Sequence, residues 1–191
     1  MVRRAMDERN PGAGRLPPVD KWNPPFCGDL DMEIRADGTW FYMGTPMGRL
    51  SLVRLFSSIL RKDEDGDTYL VTPVEKVRIR VADAHFLAVE MSVERKRAVN
   101  QVISFRTNVG DVVEIGKNNP LHFKMVDRDS ELKPYFRVRG RLEALVNRAT
   151  MYELVELGEE VIVNGTAMFA IRSNRETYPI MTIAELNMQS A

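Results

Sequence analysis

Apolar positions along this chain alternate in short strand-like runs and recur at helical spacing in a few longer ones. "DMEIR" and "TWFYMG" are separated by "ADG", and an Asp-Gly pair between two strand-like runs predicts a hairpin turning at Asp37-Gly38. "LSLVRLFSSILR" then places Leu52, Val53, Phe56, Ile59 and Leu60 at the i, i+3, i+4, i+7 spacing, with Ser51, Arg54, Ser58 and Arg61 mostly opposite, which predicts an amphipathic helix. "KDEDGD" ends it with charge and a glycine. "TYLVTP" and "EKVRIRV" return to strand chemistry, the second alternating Val77, Ile79 and Val81 against Lys76, Arg78 and Arg80.

A second set of signals follows. "HFLAVEMSVE", "AVNQVISFRT" and "DVVEIG", joined by "RKR" and "NVGD", read as a meander. "LHFKMV" and "PYFRVRG" lead to "RLEALVNRATMYELVELG", where Leu142, Leu145, Ala149, Tyr152 and Val155 predict a helix ended by Gly158. An Asn-Gly turn in "VIVNGTAMFAIR" predicts another hairpin, and "YPIMTIAEL" closes the chain. A shift of 92 residues carries Asp37 onto Asp129, Gly48-Arg49-Leu50 onto Gly140-Arg141-Leu142, Gly66 onto Gly158 and Ile79-Arg80 onto Ile171-Arg172. The expected fold is therefore α+β, with two similar repeats, each a curved, mainly antiparallel sheet with one amphipathic helix. The expected divisions are a flexible tail over 1–19, a first repeat over 20–99 and a second over 100–191. "KWNPPF" is expected to pin the tail through Trp22 and Phe26, and open edges at "FLAVEM" or "TYPIMTI" would allow a homodimer or a bound peptide.

Composition narrows the function classes. The 27 basic residues match 27 acidic ones, so no global field gathers nucleic acid, and nucleic acid is not an expected partner. The single cysteine, Cys27, cannot form an internal disulfide, which fits a cytoplasmic location, and the two histidines add no zinc-site spacing. No apolar run is long enough to span a membrane, and the basic opening lacks the apolar stretch of an export signal.

Candidate chemistry concentrates in "DGTWFYMGTPMGR". Trp40 and Tyr42 share one face of a strand, and the loop from Gly44 to Gly48 runs directly into a helix whose first N–H groups favour an anion. The spacing is neither a P-loop nor a dinucleotide fingerprint. The candidate ligand-binding residues are Trp40, Tyr42, Thr45, Gly48 and Arg49, with Arg49 supplying a fixed charge. The expected function is a non-catalytic binding or regulatory module that recognises a small anionic molecule or a protein or peptide segment. No catalytic residue, metal or cofactor is assigned. The alternative is a small-molecule hydrolase whose groups, Asp29 or Asp31 among them, converge only in the fold.

"KWNPPFCGDLDM", "DGTWFYMGTPMGRLSLVRLFSSIL" and "YLVTPVEKVRIRVADAHFLAVEM" resemble the bacterial family of domain-of-unknown-function 1285, and the likeness continues through "VGDVVEIG" and "PYFRVRGRLEALVNRATMYELVELG". The resemblance implies a cytoplasmic protein of two α+β repeats with curved, pleckstrin-homology-like sheets and an association with signalling. It implies no substrate and no catalytic residue.

Overall fold

The computed structural model describes residues 16–126 and 131–189. Most of the expected tail, and Asp129, lie outside the described residues. The first hairpin forms as its sequence predicts. Phe26–Ile34 (β1) pairs antiparallel with Trp40–Tyr42 (β2), setting Ile34 opposite Trp40. In the turn Gly38 takes a φ of +79°, which costs a glycine little, and the Asp37 carboxylate accepts the Thr39 N–H at 2.9 Å. Thr45–Pro46 (β3) extends the hairpin, and helix α1 spans Leu50–Ser58. A second meander follows, made of Leu60–Lys62 (β4), Thr68–Val71 (β5) and Lys76–Val81 (β6). β6 lies parallel beside β1, giving the order β3-β2-β1-β6-β5-β4.

Phe86–Glu94 (β7), Val102–Thr107 (β8) and Val112–Glu114 (β9) form the next meander. Leu121–Val126 (β10), Glu131–Arg139 (β11) and Leu142–Val146 (β12) form another. Here β12 lies parallel beside β7, so this sheet, read from its other edge, runs β9-β8-β7-β12-β11-β10. That is the order of the first sheet with six added to every strand. The protein is thus two similar domains, each built on a curved mixed sheet with a single parallel pair.

The register of the duplication differs from the expected offset of 92. Phe26–Ile34 corresponds to Phe86–Glu94, an offset of about 60, whereas Gly48 precedes α1 and Gly140 turns the β11–β12 hairpin. The helix expected to begin near Leu142 is the other correction. "LEALV" is β12, with Leu142, Ala144 and Val146 buried on one side, and only Arg148–Val155 (α2) is helical. Asn147 caps that helix by accepting the Thr150 N–H at 2.8 Å. Pairing with β7, far away in sequence, overrides the local helical spacing. The division between the sheets accordingly falls at Ala82–His85 and not at 99/100, and β7 lies inside its sheet, with Phe86–Ala88 of "FLAVEM" paired to β12 on one side and the strand paired to β8 on the other. Glu159–Val163 (β13), Thr166–Ser173 (β14), Glu176–Thr182 (β15) and helix Ile183–Gln189 (α3) complete the second domain.

The two sheets share a core. Ile34, Trp40 and Leu70 of the first sheet and Val53 of α1 belong to the same buried cluster as Phe86, Phe105 and Phe136 of the second sheet and Ile171 of β14. Hydrogen bonds cross the seam as well. Arg54 Nε donates to Val109 O at 2.9 Å, Arg139 Nη2 to Ser57 O at 2.6 Å, and Asn108 Nδ2 to Gly38 O at 3.2 Å. Arg54 was expected on the solvent face of α1, but the β8–β9 turn presents a carbonyl that needs a donor. α1 correspondingly leaves Leu50, Leu52 and Leu55 exposed. No helix among the described residues is long and apolar enough to cross a membrane.

Candidate functional site

The residues singled out in "DGTWFYMGTPMGR" separate in the fold. Trp40 is 1% exposed and belongs to the core cluster that includes Val53 of α1. Tyr42 ends its short strand and is 44% exposed, while Phe41 lies under the Arg35 guanidinium, 3.5 Å from its ring centre. Thr45, Gly48 and Arg49 are exposed, and Arg49 precedes α1 without capping it through its side chain. These side chains do not surround any of the three cavities described for this fold. Asp29 and Asp31 do share a face, but each meets an arginine: Asp29 takes two hydrogen bonds from Arg78 at 2.8 Å, and Asp31 takes one from Arg80 at 2.7 Å. Cys27 is exposed.

Two of the cavities that gather charge share Lys62 of β4. β4 is an edge strand, and its alternation buries Leu60 while Arg61 reaches across the chain preceding β1. Arg61 Nη1 donates to Val19 O at 2.9 Å and Trp22 O at 2.7 Å, and its Nε donates to Asp63 Oδ1 at 2.6 Å. This clamp, with Val19 and Pro24 buried beneath it, pins the segment that Trp22 and Phe26 were expected to hold; Phe26 instead stands exposed, edge-on to Tyr69. Burial works against ionisation of Asp63, but its bonds to Arg61 and Lys76 hold the carboxyl below the usual range.

Across from β4 stands the β11–β12 hairpin, turned by Gly140. Arg139 Nη1 donates to Asp111 Oδ2 at 2.7 Å, its other Nη caps the last turn of α1 at Ser57, and Arg141 Nη2 donates to Glu64 Oε1 at 2.7 Å. Between hairpin, strand and N-terminal segment is a cavity of about 240 Å³. Its apolar wall comes from Leu16, Val19, Leu60 and Leu142, and its polar wall from Arg61, Lys62, Arg139 and Arg141, against one carboxylate, Asp20. Lys62 has no carboxylate partner among the described residues.

Lys62 also lines the neighbouring cavity, about 610 Å³, on the other side of β4. That space is charge-saturated, since Arg78 bridges Asp29 and Asp67 within it. His85 closes its inner wall. The Glu143 N–H donates to His85 Nδ1 at 3.2 Å, so the ring proton sits on Nε2, which faces Thr68 Oγ1 at 3.0 Å. Burial, reinforced by Lys62, lowers His85 to about 4, which makes it a neutral spacer between β5 and β12 and removes it as a general base near neutrality. The sequence did carry a signal for the seam: "LRK" and "RVRGR" put closely spaced cations at strand ends, but they lie about 80 residues apart and no local pattern joins them.

The sequence pattern of the DUF1285 N-terminal domain, a domain of unknown function, matches residues 17–84, and that of the DUF1285 C-terminal domain, from a protein of unknown function, matches residues 85–180. Their junction falls inside the Ala82–His85 link between the sheets. A crystal structure of a DUF1285 family protein from Silicibacter pomeroyi DSS-3 is 48% identical over 90% of this chain and 91% of that one, with a TM-score of 0.83. Another, from Shewanella baltica OS155, is 29% identical over 67% of this chain and 92% of its own, with a TM-score of 0.52. No curated protein matches the chain.

Proposed function

The chain belongs to the DUF1285 family, and we propose that it is a binding module for a small organic anion with an apolar portion, held at the seam between its two domains. The observation that carries this reading is the gathering of four basic side chains around an apolar-walled cavity: Arg61, Arg139 and Arg141 are already paired with Asp63, Asp111 and Glu64, and Lys62 has no carboxylate partner among the described residues. Clefts between domains are favoured ligand sites, and a few polar groups on an apolar wall fix a ligand's orientation. Arg139 is rigid because its bonds to Asp111 and Ser57 hold it, whereas Lys62 and Arg141 can turn toward an incoming carboxylate or phosphate. The single cysteine, exposed and not in a disulfide, is compatible with the reducing cytoplasm, where we place the module.

The test is isothermal titration with hexanoate, hexyl phosphate and hexanol. The two anions should bind and hexanol should not. Lys62→Ala and Arg141→Ala should each weaken the anions by about tenfold, the worth of one charge-assisted contact. Equal binding of hexanol, or variants indistinguishable from the parent, would rule the seam out as an anion site.

A further inference from the structure

A third cavity, away from the seam and independent of the reading above, is built around a buried glutamine. Gln101, 5% exposed, accepts the Arg97 N–H on its side-chain Oε1 at 2.7 Å and donates from Nε2 to Arg172 O at 2.8 Å. Its own main-chain carbonyl accepts the Asn174 N–H at 2.7 Å. Gln101 thereby ties the β7–β8 turn to the end of β14, through its side chain, and to the β14–β15 turn, through its main chain, and Arg97 and Arg172 stand on the wall of a cavity of about 300 Å³. Ala98, Leu157 and Gly158 supply the rest of that wall, with Glu159 as its carboxylate.

The two turns are backbone outliers. Arg95, Arg97, Asn174 and Arg175 have φ values of +50°, +61°, +51° and +68°. Side chains other than Asn and Asp avoid this region. Three of the four are arginines, so the strain falls on long cationic side chains where glycine would serve the turn better. Glu159 holds Arg172 through Nε alone, which leaves its two Nη groups for another acceptor. The Arg97 side chain has no hydrogen-bond partner among the described residues. Lys96 and Arg175 stand exposed beside them.

We infer that this cup is an anion site for a phosphomonoester, with the Arg97 and Arg172 guanidiniums as its donors. Two planar donor groups on the wall of one small cavity suit a dianionic tetrahedral head, with Arg172 set by strand β14 and Arg97 by a turn whose backbone N–H the buried Gln101 holds. The phosphomonoester can be a soluble metabolite or the headgroup of phosphatidic acid, which share this chemistry.

Inorganic phosphate, glycerol 3-phosphate and acetate are titrated into the ¹⁵N-labelled full chain. Saturable shifts at the amides of Arg97, Gln101, Gly158 and Arg172, stronger for the phosphates than for acetate, are expected. Arg97→Ala, an exposed substitution, should weaken the phosphates at least tenfold, and Arg97→Lys should restore part of the loss. Seam variant Arg141→Ala should leave these shifts intact, so failure here and failure of the seam reading are told apart. Co-sedimentation with phosphatidylcholine vesicles, with and without phosphatidic acid, identifies the source: binding that requires phosphatidic acid and is lost in Arg97→Ala assigns the headgroup, and its absence beside phosphate binding assigns a soluble ligand. Equal shifts with acetate and phosphate, no shifts at all, or an Arg97→Ala protein that binds like the parent would overturn the proposal.

Discussion

The two six-stranded sheets share a strand order and one parallel pair, yet they connect their meanders differently. In the first, helix α1 bridges β3 and β4 and leaves three leucines in solvent. In the second, the link from β9 to β10 is a short loop pinned by an isolated bridge between Gly116 and Asn119. There the appended β13–β15 sheet leans in: the buried Ser173 hydroxyl accepts the Ile103 N–H at 2.9 Å and donates to Ile115 O at 2.8 Å. One duplicated scaffold thus covers equivalent connections by two means, a helix within the repeat and a module added after it. The comparison teaches that strand order is the stable property here, while the links are free to diverge.

The largest expected effect tests whether the two halves are energetically one body. Trp40→Ala in the first sheet and Phe105→Ala in the second, where Phe105 stacks on Phe136 at 4.8 Å, should each destabilise by about 3–5 kcal/mol. Because both belong to one cluster, urea unfolding followed by tryptophan fluorescence and by far-ultraviolet dichroism should remain a single coincident transition. Separate transitions in either variant would make the halves independent.

Next comes the histidine between them. His85 falls from its ordinary 6.5 to about 4 in the fold, so between these values the unfolded chain binds the extra proton. Its contribution is therefore complete above pH 6.5 and declines as pH drops toward 4, by about 3 kcal/mol in all. Urea midpoints at pH 7, 6 and 5 should show that slope, and His85→Gln should flatten it.

Ser173→Ala sharpens the contrast between the connections. It strands a buried N–H and a buried carbonyl and should cost about 2–3 kcal/mol, read as a shift in urea midpoint with unchanged m. The hairpin glycines separate the halves more finely. A Cβ on Gly38 would stand 2.9 Å from Asn108 Nδ2, while one on Gly140 meets nothing within 4 Å. Both have positive φ, so Gly140→Ala should cost about 1 kcal/mol and Gly38→Ala more than that. Arg80→Ala, which removes an exposed pair with Asp31, should leave the urea midpoint essentially unchanged and set the lower end of the scale.

Much of the fold was legible where structure is local. Asp37-Gly38 and Asn164-Gly165 turn the hairpins their sequences announce, and the β7–β8–β9 meander appears as read. Legibility failed at the parallel pairs. Nothing within "LEALV" names "FLA" as its partner, so leucine spacing suggested a helix, and the offset of 92 followed similar letters instead of similar neighbours. The candidate site fared likewise. The aromatic stretch is visible because its residues are contiguous, but Trp40 lies in the core; Lys62 and Arg141 line one cavity only because β4 and the β11–β12 hairpin come together in the fold.

The parallel pairing of first and last strands also gives each half a direction of travel. Phe26 lies beside Lys76 at one end of the sheet and Ile34 beside Val81 at the other, so the chain comes in at one end and departs at the opposite one. A unit with its termini at opposite ends concatenates readily, and the four residues Ala82–His85 suffice to begin a second copy. Circular permutation of one half faces the reverse situation: a joining linker would have to run back along a six-residue strand, roughly 20 Å at about 3.3 Å per residue. Fusion in tandem suits this architecture, and closing it into a ring of sequence does not.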